Sequence, residues 1–92
     1  MAKITMVMTR EINERIATDV SFASLVGKSL SRFAKGDWGT VTADDKAAND
    51  KDWESLAGGR YGRILAAYGQ TDNKFWIIRD TEAITILYPS EY

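Results

Sequence analysis

The sequence of 92 residues contains no cysteine, no histidine and a single proline. Without cysteine the chain has no disulfides, no thiolate nucleophile and no zinc site built from cysteines. Without histidine it lacks the commonest general base, the usual transition-metal ligand and the Ser-His and Cys-His catalytic pairs. We therefore expect no catalytic residue, no cofactor and no metal site.

Long apolar runs are also missing from the sequence. No stretch approaches the ~18 consecutive apolar residues of a membrane span, and the N-terminus has no signal-peptide pattern. We therefore expect a cytoplasmic protein that makes no membrane contact. We predict a single domain over residues 1–92, because a chain of this length has no room for a second core.

The net charge of −1 is small, but the charges are unevenly distributed. Residues 1–36 carry six Lys/Arg and three Asp/Glu, whereas residues 37–56 carry six Asp/Glu and two lysines. Residues 57–92 carry four charges of each sign. A basic segment beside an acidic one can steer a charged partner, although two solvated faces would give the same pattern.

Helical signals dominate the first part of the chain. Thr9 is a good N-cap for a first helix that runs to about residue 17, and Ser21 is the expected N-cap of a second. Apolar residues separated by 3, 4, 7, 8 and 11 positions predict that the second helix continues and ends at Gly36. Thr42 caps a third helix that reaches about Leu56 and has few apolar positions.

After residue 62 the apolar period changes to two. This period predicts strands at residues 63–68, 74–79 and 83–88, joined by short turns, with Pro89 ending the last strand. Residues 3–8 form either an edge strand or an extended lead-in. The predicted fold is α+β, with two or three N-terminal helices packed on a C-terminal three-stranded antiparallel β-meander.

The helical and β-rich parts of the chain meet at Gly36-Asp37-Trp38-Gly39. Glycine supplies backbone angles that other residues resist, and an indole buries a large area. Because this turn directly follows the apolar stripe of the second helix, we predict that Trp38 is buried near Phe33.

Several motifs occur in a fixed order through residues 33–92: GDWG at 36–39, Asp45-Lys46 with Asn49, Phe75-Trp76-Ile77-Ile78, and the tail Thr85–Tyr92. The combination resembles a group of small proteins carried by plasmids, integrative elements and phages, known as plasmid-related proteins or, loosely, as restriction-endonuclease subunits. The chain departs from that group at Ala66, Tyr88 and Ser90, and in a longer linker before the first strand. The resemblance implies an accessory role on a mobile element, concerned with host defence or DNA, without established catalysis.

The leading functional hypothesis is non-enzymatic binding to a protein partner. An inhibitor of a host defence complex, of the anti-CRISPR or antirestriction type, fits the resemblance. The third helix has too few apolar residues to be enclosed, so its acidic side chains should attract a basic protein. The expected partner-binding residues are the acids of that segment: Asp37, Asp44, Asp45, Asp50, Asp52 and Glu54.

The alternative hypothesis is a weak nucleic-acid-binding regulator. Lys28, Arg32 and Lys35 are spaced four and three residues apart, so they form one stripe on the second helix. Arg60 and Arg63 could add charge at the edge of the sheet. So few cations neutralise few phosphates, and the expected binding is weak.

A metal-dependent nuclease fragment is the third hypothesis. Asp37, Asp44, Asp45 and Lys46 are the one set suited to magnesium. Asp44 and Asp45, however, are adjacent on a helix and point about 100° apart. Capping and turn bonds explain these residues more simply. Residues 58–62 are glycine-rich but precede a strand rather than a helix, so we interpret them as a connector instead of a phosphate loop.

Overall fold

The structure is a computed structural model that describes residues 4–92 of the chain. The α+β class predicted from the sequence is confirmed. None of the helices in this range is long and apolar enough to cross a membrane. In chain order the elements are β1 (Thr5–Met8), α1 (Arg10–Thr18), α2 (Val20–Ala34), α3 (Ala43–Ala57), β2 (Ile64–Tyr68), β3 (Phe75–Arg79) and β4 (Ala83–Leu87).

The sheet has four strands in the order β1-β4-β3-β2, so the predicted sheet of three strands lacked one strand. Strands β2, β3 and β4 do form an antiparallel meander, in which Ile77 lies between Ala66 and Ile86. Strand β1 pairs in parallel with β4, and Met6 lies opposite Ile84. The meander alone would leave the outer edge of β4 unpaired, and the extended N-terminal segment occupies that edge.

One face of the sheet and the helices share the hydrophobic core. Alternate residues of each strand point to that face, as the period of two predicted. The ring of Phe22 packs edge-on against Phe75 at 5.8 Å between centroids, which joins α2 to β3. The most deeply buried apolar residues of this core are Ile12, Phe22, Val26 and Phe33 from the helices, Trp38 from the turn after α2, and Ile64, Ala66, Tyr68, Phe75, Ile77 and Ile86 from the sheet.

Side-chain caps define where the helices begin. The N-caps Thr9 and Thr42 are confirmed, since each hydroxyl accepts a backbone N–H three residues later. The predicted cap Ser21 is wrong: Asp19 caps α2, and its carboxylate accepts the N–H of Phe22 at 3.0 Å. Asp19 also ends α1, because its own N–H donates to the carbonyl of Arg15. One residue thus serves both helices, and no separate linker remains for Ser21 to cap.

Candidate functional site

Trp38 anchors the joint between α2 and α3. Its side chain is 3% exposed, and its ring packs against Phe33 and Trp53, each at 5.3 Å between centroids. The predicted burial near Phe33 is confirmed. The indole Nε1–H donates to Oδ1 of Asp50 at 2.9 Å, so a residue of α3 satisfies the polar atom of the buried ring.

Asp37 is held by five hydrogen bonds at the end of α2, one of which its own N–H donates to the carbonyl of Arg32 at 3.0 Å. Its carboxylate accepts from Nε and Nη2 of Arg32, at 2.7 and 3.2 Å, and from the N–H of Gly39 at 3.1 Å. Its backbone carbonyl accepts from the hydroxyl of Tyr68 at 2.6 Å. The bonds from Arg32, followed by that from Gly39, lower the pKa of Asp37. Burial raises the pKa of the Tyr68 phenol, so this hydroxyl remains a donor.

The outer edge of β2 is paired with a side chain of α3. The carboxamide of Asn49 donates from Nδ2 to the carbonyl of Leu65 at 2.9 Å and accepts the N–H of Leu65 at 3.3 Å. Asn49 lies in the middle of α3 and is 5% exposed. Its amide makes the two bonds that a neighbouring strand would make, so the helix lies along the edge and closes it.

Two further contacts close the same edge on either side of Leu65. The N–H of Ala67 donates to the carbonyl of Trp38 at 3.0 Å, and the carbonyl of Ala67 accepts the N–H of Thr40 at 2.9 Å. The N–H of Arg63 donates to Oδ2 of Asp52 at 3.0 Å. The GDWG turn and α3 therefore accept the outward N–H groups of Arg63, Leu65 and Ala67 along the edge of β2.

The six acids expected to bind a partner fall into two groups. Asp37, Asp50 and Asp52 make the internal hydrogen bonds described above. Asp44, Asp45 and Glu54 are exposed, and within residues 4–92 none of these three forms an ion pair.

The exposed acids occupy different sides of α3. With 3.6 residues per turn, Asp44 and Glu54 lie on the side opposite Asn49, which faces β2. Asp45 lies nearer the sheet and lines a shallow cavity of about 290 Å³ together with Arg63. Ten of the fifteen residues of α3 are exposed, as expected for a helix with few apolar positions.

The basic residues of the alternative hypothesis do not form one surface. Arg32 is bonded to Asp37, and its guanidinium lies 5.1 Å from the ring centre of Tyr68, at the end of β2. Arg63 lies before the start of β2, and the strand between them spans ~13 Å. Its guanidinium lies 5.2 Å from the ring centre of Tyr92.

The other predicted basic residues are Lys28, Lys35 and Arg60. Lys28 is exposed on α2 and Lys35 is exposed at the C-cap of that helix, in line with the predicted stripe. Arg60 is exposed in the connector that follows α3 and borders a separate cavity with Arg79. The stripe and the two arginines expected to extend it therefore lie apart.

The residues considered for a nuclease centre have different structural roles. Asp37 is bonded to Arg32, while Asp44 and Asp45 begin α3. Within the part of the chain that the structure describes, no three His, Cys, Asp or Glu side chains converge as metal ligands would. The connector of residues 58–62 runs directly into β2, as predicted.

The site residues predicted from the sequence did not include Asn49, whose amide bonds α3 to the backbone of Leu65. One signal was present: Asn49 lies seven residues before Leu56, so both fall on one side of a helix, and asparagine is a weak helix former. A polar residue on the buried side of a helix needs a hydrogen-bonding partner.

No protein-family model, curated protein or solved structure matches the chain.

Proposed function

We propose that this protein acts without catalysis by binding another protein through the outward side of α3. The observation that carries this proposal is the way α3 packs. Asn49 and Leu56 are buried on one side of the helix, and Asp50, Asp52 and Trp53 beside them contact Trp38 and Arg63. Ten of the fifteen residues of α3 are exposed. A helix of fifteen residues held in this way offers a rigid, accessible surface at the edge of the sheet.

The chemistry of this surface favours a basic partner. Asp44 and Glu54 lie ten residues apart on the outward side, which separates them by ~15 Å along the helix. Lys51 is the cation between them, and Asp50 adds a carboxylate at the flank. Such acids speed the approach of a positively charged surface and disfavour nucleic acid. The partner should present cationic side chains along a groove or strip of similar length.

The biological setting that we propose is a mobile genetic element. The ordered motifs of residues 33–92 resemble accessory proteins of plasmids and phages, and a small acidic helix on a rigid sheet suits an inhibitor. We therefore propose that the partner is a host defence complex, of the kind blocked by anti-CRISPR or antirestriction proteins. The inhibitor would act by occupying a basic surface that the complex needs.

A capture experiment with charge-reversed variants tests the surface. Tagged wild-type protein is used to isolate partners from its host, with and without nuclease treatment, and the partners are identified by mass spectrometry. Binding is then compared for wild type, Asp44→Lys/Glu54→Lys and the control Asp72→Lys/Glu82→Lys. Both variants change the net charge equally, and all four acids are exposed. Asp50 and Asp52 are left intact because they hold Trp38 and Arg63.

We expect the α3 variant to bind the isolated protein at least tenfold more weakly, mainly through slower association, while the control binds like wild type. Equal loss in both variants would show a general charge effect and contradict the assignment to α3. Nuclease-sensitive capture that is lost in Lys28→Glu/Lys35→Glu would instead support the nucleic-acid hypothesis.

A further inference from the structure

The outer edge of β1 is open, in contrast to the closed edge of β2. The N–H groups of Thr5 and Thr9 donate to carbonyls of Glu82 and Ile86, next to or in β4. Successive residues of a strand direct their backbone groups to opposite sides, so Met6 directs its N–H and carbonyl away from β4. Within residues 4–92, no strand pairs with β1 on that side.

All four side chains of β1 are exposed, and all of them except that of Thr5 are apolar. Met6 is 52% exposed and Val7 43%, and the neighbouring Ile4 and Met8 are 41% and 38% exposed. The stretch from residue 4 to residue 8 contains no charge and no proline, which are the features that commonly protect an open edge. Helix α1 packs on α2 and β4. Ile4, just before β1, lines an open cavity with Leu56, Arg60 and Arg79.

We propose that β1 pairs antiparallel with β1 of a second copy of this chain, which joins two sheets into one of eight strands. The two-fold axis passes between Met6 and Met6 of the second copy. Ile4 then lies opposite Met8, and Thr5 opposite Val7.

The occupant is a second copy because the edge is complementary to itself in this register. Ile4, Met6 and Met8 all direct their backbone groups outward, and they meet one another at the hydrogen-bonding positions of an antiparallel pair. Every opposed pair is uncharged, so no like charges meet across the axis. A net charge of −1 per copy adds little repulsion.

The size of the contact makes the dimer weak. A pair of five-residue segments, residues 4–8 of each copy, buries less than the ~1,200 Å² of a standard interface, so we expect dissociation on dilution below the micromolar range. The dimer leaves α3 free, because α3 lies at the opposite edge of the sheet, beside β2. Two α3 surfaces would stand at the two ends of the joined sheet and could bind a repetitive partner with increased avidity.

A disulfide trap tests the register directly. In a hydrogen-bonded antiparallel pair the Cα atoms lie ~5.5 Å apart, within the range that a disulfide spans. The chain has no cysteine of its own, so Met6→Cys introduces a single thiol. With oxidised glutathione as the oxidant, we expect Met6→Cys to form a covalent dimer at least tenfold faster than Val20→Cys. Val20 is 86% exposed on α2 and controls for random collision. Equal rates would overturn the proposal.

Sedimentation at increasing concentration tests the association itself. We expect the mass of wild type to rise from 10.3 kDa toward twice that value as the protein approaches ~1 mM. Met6→Pro should stay monomeric and folded, because it removes an N–H that points away from β4. Met6→Lys and Met6→Glu should each be monomeric, whereas their mixture should form a heterodimer across the axis. A wild type that stays at 10.3 kDa, or a mixture that does not associate, would overturn the proposal.

Discussion

Gly39 lies so close to the carbonyl of Ala67 that a β-carbon on residue 39 would stand 1.8 Å from the carbonyl oxygen. The φ angle of Gly39 is +75°, a value that other residues rarely adopt. The close approach lets the neighbouring residues Trp38 and Thr40 bond to both backbone groups of Ala67. The last glycine of GDWG therefore determines how the turn closes the edge of β2.

Gly39→Ala should destabilise the fold far more than Gly59→Ala. Both glycines have nearly the same φ, +75° and +77°, so both substitutions carry a similar backbone strain of ~1–2 kcal/mol. A β-carbon at Gly59 meets nothing within 4 Å, whereas one at Gly39 collides with the backbone of Ala67. Urea denaturation followed by circular dichroism measures the difference. Equal free energies of unfolding would contradict the close packing of this turn on β2.

Trp38→Ala should lower the free energy of unfolding by ~3–5 kcal/mol, the usual range for an aromatic side chain removed from a core. The substitution removes the ring from between Phe33 and Trp53 and leaves Asp50 without its indole donor. Trp38→Phe keeps most of the apolar area and should cost less. Thermal and urea unfolding measure both variants. A Trp38→Ala melt within error of wild type would mean that the side chain is a surface residue.

Asn49→Asp should destabilise the protein by at least ~2 kcal/mol at neutral pH. The aspartate cannot donate to the carbonyl of Leu65, and it places a charge at a site that is 5% exposed. The control Asn13→Asp makes the same chemical change at an exposed position of α1 and should be nearly neutral. Unfolding at pH 7 compares the two. Similar stabilities would show that the amide of Asn49 does not hold α3 to β2.

Local signals were sufficient to predict much of the fold. Thr9 and Thr42 precede helices as caps, the period of two after residue 62 gave the three strands of the meander, and two glycines around Trp38 indicated an anchored turn. Each of these signals lies within a few residues of the feature that it predicts. The parallel pairing of Thr5 with Ala83 joins segments almost eighty residues apart, and no local pattern reports such a contact.

The roles of the acids could not be predicted for a related reason. Charge counts treat Asp44 and Asp52 alike, although Asp52 bonds to the backbone of Arg63 and Asp44 faces outward. Their difference depends on which side of α3 meets β2, and that side is fixed by the contact between Asn49 and Leu65. The acids on the outward face of α3 can therefore be identified only when the packing of α3 against the edge of β2 is known.

Three aspartates make the stability of the protein depend on pH in the acid range. Hydrogen bonds from Arg32 and Gly39 lower the pKa of Asp37. The N–H of Phe22 followed by Arg15 lowers the pKa of Asp19, and two backbone N–H groups lower that of Asp80. Because each folded pKa lies below the unfolded value of ~3.9, the stabilisation is present above that value. It is lost as the pH falls through the folded pKa.

Asp37→Asn should remove part of this dependence. At pH 7 the variant should unfold at a lower urea concentration than wild type, because asparagine cannot form the charged pair with Arg32. As the pH falls through the lowered pKa of Asp37, the wild-type carboxyl becomes protonated, so the difference between the two proteins should shrink. Asp44→Asn is the control, since Asp44 forms no ion pair within residues 4–92. Because Asp37 and Arg32 are about half exposed, 0.5 M salt should also reduce the difference at pH 7. A difference that stays constant as the pH is lowered through the acid range would contradict a stabilising role for the charged pair of Asp37 and Arg32.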